Sequence, residues 1–204
     1  KVSVTNNKFS NHFTGGGCDS SSGCEYVICS DNVMHKVSHA FKSESRITGP
    51  SVNQQSMFVN NIIISPDDTD PHVVNGNALS RITGNGTKVS GNTFVNTNAN
   101  GNYFMQIASN YCDISDNLFI NAGSGELTGV FEVVGDVFNG RNAGVARIYS
   151  NRYVKAPAST GSAITAFINM TGRPVLAPVA MQFGELVVSN NTVEECITFV
   201  KSLC

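Results

Sequence analysis

A short apolar strand that ends in asparagine recurs seven times along this 204-residue chain, and this repeat restricts the possible folds more than any other feature. The copies cover residues 2–9, 27–34, 57–63, 89–94, 114–119, 147–153 and 186–193. Their asparagines are Asn7, Asn32, Asn61, Asn92, Asn117, Asn151 and Asn191. Successive asparagines are 25, 29, 31, 25, 34 and 40 residues apart. A unit of constant size with loop insertions of variable length produces this spacing.

The chemistry of the motif predicts a strand, a tight corner and a second strand. Apolar residues alternate with polar ones before each Asn, which indicates a strand with one buried face. A tight corner needs left-handed backbone angles, and Asn tolerates them well, so we expect each Asn to adopt them. The apolar residue after the Asn is expected to point inward on the next strand. When such corners stack, the Asn side chains are expected to hydrogen-bond to one another from repeat to repeat.

These stacked Asn corners resemble those of the pectate-lyase-like right-handed parallel β-helix superfamily, in which each coil has three strands and an Asn marks the tight second corner. The resemblance covers nearly the whole chain. It implies an all-β, right-handed, single-stranded parallel β-helix of about seven coils, with residues 1–204 as one domain. A β-sandwich or propeller is the rival, but the repeat is the size of a single strand and lacks two-residue hairpin turns. Neither end of the chain carries a capping device, so we expect a fragment of a longer chain.

Composition and charge exclude several classes of partner. Only 14% of the residues are charged and the net charge is −2, which does not favour binding to nucleic acid or to an anionic membrane surface. No stretch approaches the 18 or so apolar residues of a membrane span, so we do not expect insertion into a membrane. Cys29 and Cys112 lie inside apolar strand patterns and are expected to be reduced, buried thiols. A Cys18–Cys24 disulfide is the alternative, because a loop rich in Gly and Ser joins these two residues.

In that superfamily the sheet formed by the first strand of each coil usually lines the ligand groove. Candidate first strands are residues 39–44, 78–82, 103–107, 130–134, 163–168 and 197–201. Alternation along these strands predicts an outer polar stripe of Glu44, Arg81, Gln106 and Glu132. A register slip of one residue would reverse this assignment. The predicted substrate-binding residues are Gln106, Arg81, Glu44, Arg141 and Tyr103.

The candidate catalytic residues are Glu132, Asp136 and Glu126. Glycoside hydrolysis uses one carboxyl group as an acid and another as a base or nucleophile, and these residues lie on or beside one candidate groove strand. The alternative is that they are solvated surface carboxylates. The loop that contains Asp67, Asp68 and Asp70 offers closely spaced oxygens for Ca²⁺, or is a soluble acidic turn. No cofactor other than this Ca²⁺ is predicted.

The resemblance is nearest to phage tailspikes that bind and hydrolyse bacterial surface polysaccharides. It implies a homotrimer in a virion tail or an extracellular location, assembled in a reducing cytoplasm if it comes from a phage. A non-catalytic receptor-binding or shaft segment of a tail or surface protein is the main alternative. A polysaccharide lyase or epimerase is a further alternative, although no matching set of basic and acidic residues is visible.

Overall fold

The computed structural model describes residues 1–20, 26–43, 55–64, 80–82, 84–97, 101–109, 111–124, 127–135, 145–172 and 185–203, and these residues form an all-β structure. Its strands are β1 (Val2–Thr5), β2 (Lys8–Ser20), β3 (Val27–Ser30), β4 (Val33–Ser43), β5 (Met57–Val59), β6 (Ile62–Ile64), β7 (Ser80–Ile82), β8 (Thr87–Ser90), β9 (Thr93–Asn96), β10 (Gly101–Ile107), β11 (Tyr111–Ser115), β12 (Leu118–Asn121), β13 (Leu127–Gly135), β14 (Val145–Tyr149), β15 (Arg152–Lys155), β16 (Ile164–Gly172), β17 (Glu185–Ser189), β18 (Thr192–Val193) and β19 (Cys196–Leu203). No helix within these ranges is long and apolar enough to cross a membrane.

The described strands form three parallel ladders of seven strands each. The first ladder runs β1-β3-β5-β8-β11-β14-β17. The second begins with the first halves of β2 and β4 and continues through β6, β9, β12, β15 and β18. The third begins with the second halves of β2 and β4 and continues through β7, β10, β13, β16 and β19. Each of seven repeats therefore gives one strand to each ladder, which is consistent with a parallel β-helix solenoid.

The predicted chain of asparagine side chains is confirmed. From Asn7 to Asn191, the Nδ2 of each asparagine donates to the Oδ1 of the next one at 2.9–3.2 Å. The backbone N–H of each asparagine donates to the same oxygen at 2.9–3.1 Å. This chain of hydrogen bonds, which we call the asparagine ladder, joins the first and second ladders at the corner of every repeat.

The left-handed backbone angles lie one residue earlier than predicted. The residue before each ladder asparagine has a φ between 54° and 68°, and the ladder asparagine itself does not have a positive φ. These preceding residues are Asn6, Asp31, Asn60, Gly91, Asp116, Ser150 and Asn190. Their backbone N–H groups donate to the next repeat, as Asp116 does to the Tyr149 carbonyl at 3.3 Å. The turn thus places its left-handed residue directly before the asparagine, whose own N–H and side chain both donate along the ladder, as Asn117 does to Asn151.

The inward-facing position of the second ladder also differs by one residue from the prediction. The residue directly after each ladder asparagine is exposed or half-buried, and Ile62 is 46% exposed. The second residue after it is the inward one, and Met34, Ile63, Phe94, Phe119 and Tyr153 occupy this position in the five middle repeats. Parallel aromatic rings then stack between repeats, as Phe94 and Phe119 do with ring centres 4.9 Å apart. Stacked apolar side chains supply a core that no single repeat could bury alone.

The cysteine prediction is wrong for Cys29 and for the alternative pairing. Cys29 forms a disulfide with Cys18, so Cys18 does not pair with Cys24. Both residues point into the core, and their Cα atoms are 6.5 Å apart, within the usual range for a disulfide. This contact joins the third ladder of the first repeat to the first ladder of the second, which spacing along the chain does not reveal. Cys112 is a free, buried thiol as predicted, whereas Cys24 lies outside the described residues.

Candidate functional site on the third ladder

Polar residues of the third ladder stand side by side in one row of the strand register. The six predicted groove strands all belong to this ladder. Gln106 pairs with Arg81 on one side and with Glu132 on the other. Asn169 follows Glu132, and Lys201 follows Asn169. Because neighbouring parallel strands are about 4.8 Å apart, adjacent members of this row are in contact range.

Three of the four residues of the predicted outer stripe are therefore neighbours in the structure, and the fourth lies outside the described residues. Arg81, Gln106 and Glu132 are neighbours, as the alternation predicted. The residue of β4 that pairs with Arg81 is Lys42, and the predicted member Glu44 lies outside the described residues. We call Arg81, Gln106, Glu132, Asn169 and Lys201 the polar row.

Glu132 is held by hydrogen bonds to both of its carboxylate oxygens. Gln106 Nε2 donates to Oε2 at 2.6 Å, and Thr171 Oγ1 donates to Oε1 at 3.0 Å. The carboxylate is half-buried, and the two donors come from the strands on either side of it. Donors to an acidic group are among the stronger hydrogen bonds, so they fix the position of the carboxylate. A fixed acceptor of this kind suits a base, a nucleophile or an electrostatic partner for a ligand.

Tyr103 lies beside this carboxylate and is held from two sides. Its side chain is only 8% exposed, and its hydroxyl accepts a hydrogen bond from Asn169 Nδ2. Gly129, its partner in the register, makes room for the ring, because a Cβ atom there would touch the ring and clash with the Ala166 carbonyl. Burial raises the pKa of the Tyr103 hydroxyl, and the negative charge of Glu132 raises it further, although the Asn169 hydrogen bond lowers it. The hydroxyl therefore stays protonated and orders the row around Glu132.

Asn169 offers an unused acceptor in the middle of the polar row. Its Nδ2 donates to Tyr103, while its buried Oδ1 has no hydrogen-bond partner among the residues that the structure describes. Buried polar atoms of this kind are rare because desolvation without a partner costs free energy. Arg81 and Lys201, both half-buried, provide positive charge at the two ends of the row. The row as a whole combines amide, carboxylate and cationic groups on one face, and the hydroxyls of Thr171 and Tyr103 lie beside it.

Several predicted site residues lie outside the described residues. These are Glu126, Asp136, Glu44, Arg141, Asp67, Asp68 and Asp70. Glu132 is therefore the one predicted catalytic carboxylate for which the described residues give a geometry. Within the described part of the chain, no group of three or more His, Cys, Asp or Glu side chains could hold a metal ion.

Sequence reasoning missed three residues of this site. Asn169, Thr171 and Lys201 occupy the outer face of β16 and β19, but β16 extends beyond the predicted strand at 163–168. The signal that could have found them is the register itself. Aligning the groove strands on their alternating apolar residues places Asn169 beside Glu132.

Comparison of the chain with protein-family models, with curated proteins and with solved structures finds no match.

Proposed function

We propose that this chain binds a polysaccharide along the outer face of the third ladder and hydrolyses it with the help of Glu132. The observation that carries the proposal is the polar row, in which Gln106 and Thr171 fix the Glu132 carboxylate between the two neighbouring strands. Sugars are recognised by hydrogen bonds to their hydroxyl groups, and the row supplies two amides, a carboxylate and two cations in one line. A line of such groups follows the solenoid axis and suits an extended ligand.

In this proposal Glu132 acts as the base or the nucleophile, because both of its oxygens are oriented as acceptors. Asp136 or Glu126 supplies the second carboxyl group, which must protonate the leaving oxygen. A separation of about 5 Å between the two carboxyl groups would give retention at the anomeric carbon, and about 6.5–9.5 Å would give inversion. Arg81 and Lys201, which are half-buried at the two ends of the row, orient the sugar hydroxyls, while the buried Asn169 and Tyr103 hold each other in place between them.

We infer that the three ladders close into a right-handed β-helix. Parallel strands joined by crossovers are right-handed in about 98% of cases, because a twisted strand packs back onto its sheet in that sense. A tailspike-like homotrimer in a phage tail is the context proposed for this solenoid. Light scattering on the purified chain would test the trimer.

A second candidate is a non-catalytic module that binds a surface receptor. The observation that favours it is that both Glu132 oxygens already accept hydrogen bonds within the protein. Carboxylates used in this way often stabilise a strand pair rather than perform chemistry. Binding without release of reducing ends would support this candidate.

The test compares Glu132→Gln with wild type on a panel of purified capsular polysaccharides and lipopolysaccharide O-antigens. Release of reducing ends should fall by about 10²–10⁴-fold, while binding measured by calorimetry is retained. Glu185→Gln, the same change at an exposed position of β17, is the matched control and should leave release unchanged. Unchanged release in Glu132→Gln would remove Glu132 from the chemistry. Wild-type binding without release would select the second candidate, and neither binding nor release on the whole panel would reject both.

A further inference from the structure

A groove lies on the outer face of the first ladder, away from the polar row of the third ladder. It encloses about 750 Å³. Its borders are Tyr26 and Tyr111, which are 48% and 38% exposed. Ile28 and Met57 form an apolar floor, and Lys88 continues the same row of the register. We call this surface the tyrosine groove.

The register of the first ladder explains the shape of the tyrosine groove. Its strands alternate, so Val27, Phe58 and Val89 point into the core while Ile28, Met57 and Lys88 point outward. Gly86 lies between the levels of Tyr26 and Tyr111 and has no side chain, which leaves a depression between the two rings. Tyr26 and Tyr111 are three repeats apart, about 14 Å at the usual strand spacing. The groove therefore runs along the axis of the solenoid.

The apolar floor of the groove is costly for a surface that only faces solvent. Ile28 and Met57 are half-buried and leave part of their apolar surface open at the groove. Tyr26 has a φ of 59°, and Gln55 and Gly86, which follow it in the same row of the register, also have positive φ values of 44° and 74°. This left-handed corner therefore recurs from repeat to repeat, and at Tyr26 it lies at the edge of the groove.

Positive charge predominates at the tyrosine groove. Lys1 and Lys88 both line it, and Arg147 lies over the Tyr111 ring at 5.6 Å from the ring centre. Arg147 also donates to the Tyr111 hydroxyl at 3.4 Å, which holds the ring at the groove edge. Asp113, between Lys88 and Arg147 in the register, is the acidic neighbour of this set. Three cationic groups against one carboxylate complement a ligand that carries acidic groups.

We propose that the tyrosine groove is a binding site for an acidic glycan segment, separate from the polar row. Sugar rings pack on Tyr26, Tyr111 and the apolar floor, because the hydrogen-bearing faces of pyranoses pack well against aromatic rings. The carboxylates of the glycan pair with Lys88 and Lys1. The distance between neighbouring repeats is close to the length of one sugar residue, so successive residues meet successive repeats. The choice of a glycan as ligand rests on the proposed function, whereas the site and its charge preference rest on the groove itself.

Calorimetric titration with oligogalacturonate and with fragments of acidic capsular polysaccharides tests this site, and neutral cello-oligosaccharides of equal length serve as the comparison ligand. Binding of an acidic probe should weaken as ionic strength rises. Tyr111→Ala and Lys88→Gln should each raise its Kd by about fivefold to tenfold. Lys8→Gln, an exposed lysine on the second ladder, is the matched control and should leave the Kd unchanged. Thermal unfolding of each variant checks that the fold is intact, as expected for exposed side chains.

Each outcome separates this site from the polar row. Binding that is unaffected by Tyr111→Ala and Lys88→Gln, or that prefers the neutral probe, would overturn the tyrosine groove and leave the Glu132 proposal standing. Failure of every acidic probe to bind would also overturn it. Loss of reducing-end release in Glu132→Gln, with the Kd at the tyrosine groove unchanged, would support both proposals as independent sites.

Discussion

At the scale of the residue, each interior ladder asparagine satisfies a set of hydrogen bonds that no other side chain reproduces. Asn117 donates from Nδ2 to the Val89 carbonyl at 3.0 Å and to Asn151 Oδ1 at 2.9 Å. Its own Oδ1 accepts from the backbone N–H and the Nδ2 of Asn92, both at 3.0 Å. The position therefore needs two donors and an acceptor on one short side chain, all buried.

Asn117→Asp should lower the free energy of unfolding by about 3–5 kcal/mol, because it buries a charge that faces carbonyl oxygens and has lost both donors. Urea unfolding at neutral pH measures this change. Asp116→Asn is an isosteric change at the exposed neighbouring residue, and it should change the free energy of unfolding by less than about 0.5 kcal/mol. A loss below about 1 kcal/mol in Asn117→Asp would mean that the ladder contributes little to stability.

The residue before each ladder asparagine has a different requirement, which is a left-handed backbone. Asp116 has a φ of 56° and an exposed side chain. Asp116→Val should lower the free energy of unfolding by about 1–2 kcal/mol, since a β-branched residue is strained there. Asp116→Gly should leave it nearly unchanged, because glycine adopts this angle without strain, as Gly91 does in the repeat before. Equal losses in the two variants, measured by urea unfolding, would show that the Asp116 side chain matters rather than its backbone angle.

At the scale of the element, each strand carries a buried and an outer face, and the buried faces include groups that titrate at high pH. Burial raises the pKa of the Cys112 thiol on β11 from 9.0 to about 12. Burial also raises the pKa of the Tyr153 hydroxyl on β15 from 10.0 to about 12, although a nearby Asn121 amide lowers it. Among the described residues, the buried Tyr153 hydroxyl has no hydrogen bond of good geometry.

Stability should therefore fall as the pH rises from about 9 towards 12. In this range the unfolded chain loses protons that the folded chain retains, so alkali favours unfolding. Below pH 9 both states hold these protons and the contribution is constant. Urea unfolding at a series of pH values measures how steeply the free energy of unfolding falls with pH. Tyr153→Phe should make this slope shallower and should change the free energy of unfolding little at pH 7. The same slope in Tyr153→Phe and wild type would exclude Tyr153 as a source of this pH dependence.

The strands and their order were predictable from the sequence because alternation and the recurring Asn both record what stacking requires. The position of the left-handed residue was missed, although every copy carries Asn, Asp, Gly or Ser before the ladder asparagine. Asn169 and the Cys18–Cys29 disulfide were missed for another reason. Both depend on contacts between ladders or neighbouring repeats, and loops of variable length hide that register. Glu132 was predictable because it lies on the outer face of a well-patterned strand, but its donors Gln106 and Thr171 come from two other repeats.

At the scale of the whole molecule, the strands of each described repeat pair only with strands of the neighbouring repeats, so stability accumulates from repeat to repeat along the three ladders. The seventh repeat pairs with the sixth alone, through β17, β18 and β19. Its apolar side chains are therefore more exposed to solvent, and Ile197 and Phe199 are 74% and 45% exposed. The first repeat also has one neighbour, but the Cys18–Cys29 disulfide ties it to the second. The first and seventh repeats of the described structure should therefore differ in local stability.

Native-state hydrogen exchange should resolve this difference amide by amide. We expect the Asn117 amide, in the middle of the ladder, to exchange slowest, and the Thr192 amide of the seventh repeat to exchange faster by about tenfold or more. The exchange rate of the Asn7 amide in the first repeat should lie between these two rates, because the disulfide opposes opening of that end. Reduction of the disulfide, or Cys18→Ala, should then raise the exchange rate of the Asn7 amide close to that of the Thr192 amide, while the exchange rate of the Asn117 amide stays unchanged. If reduction instead accelerates the exchange of all three amides equally, the repeats open as one cooperative unit and the disulfide stabilises the whole of it.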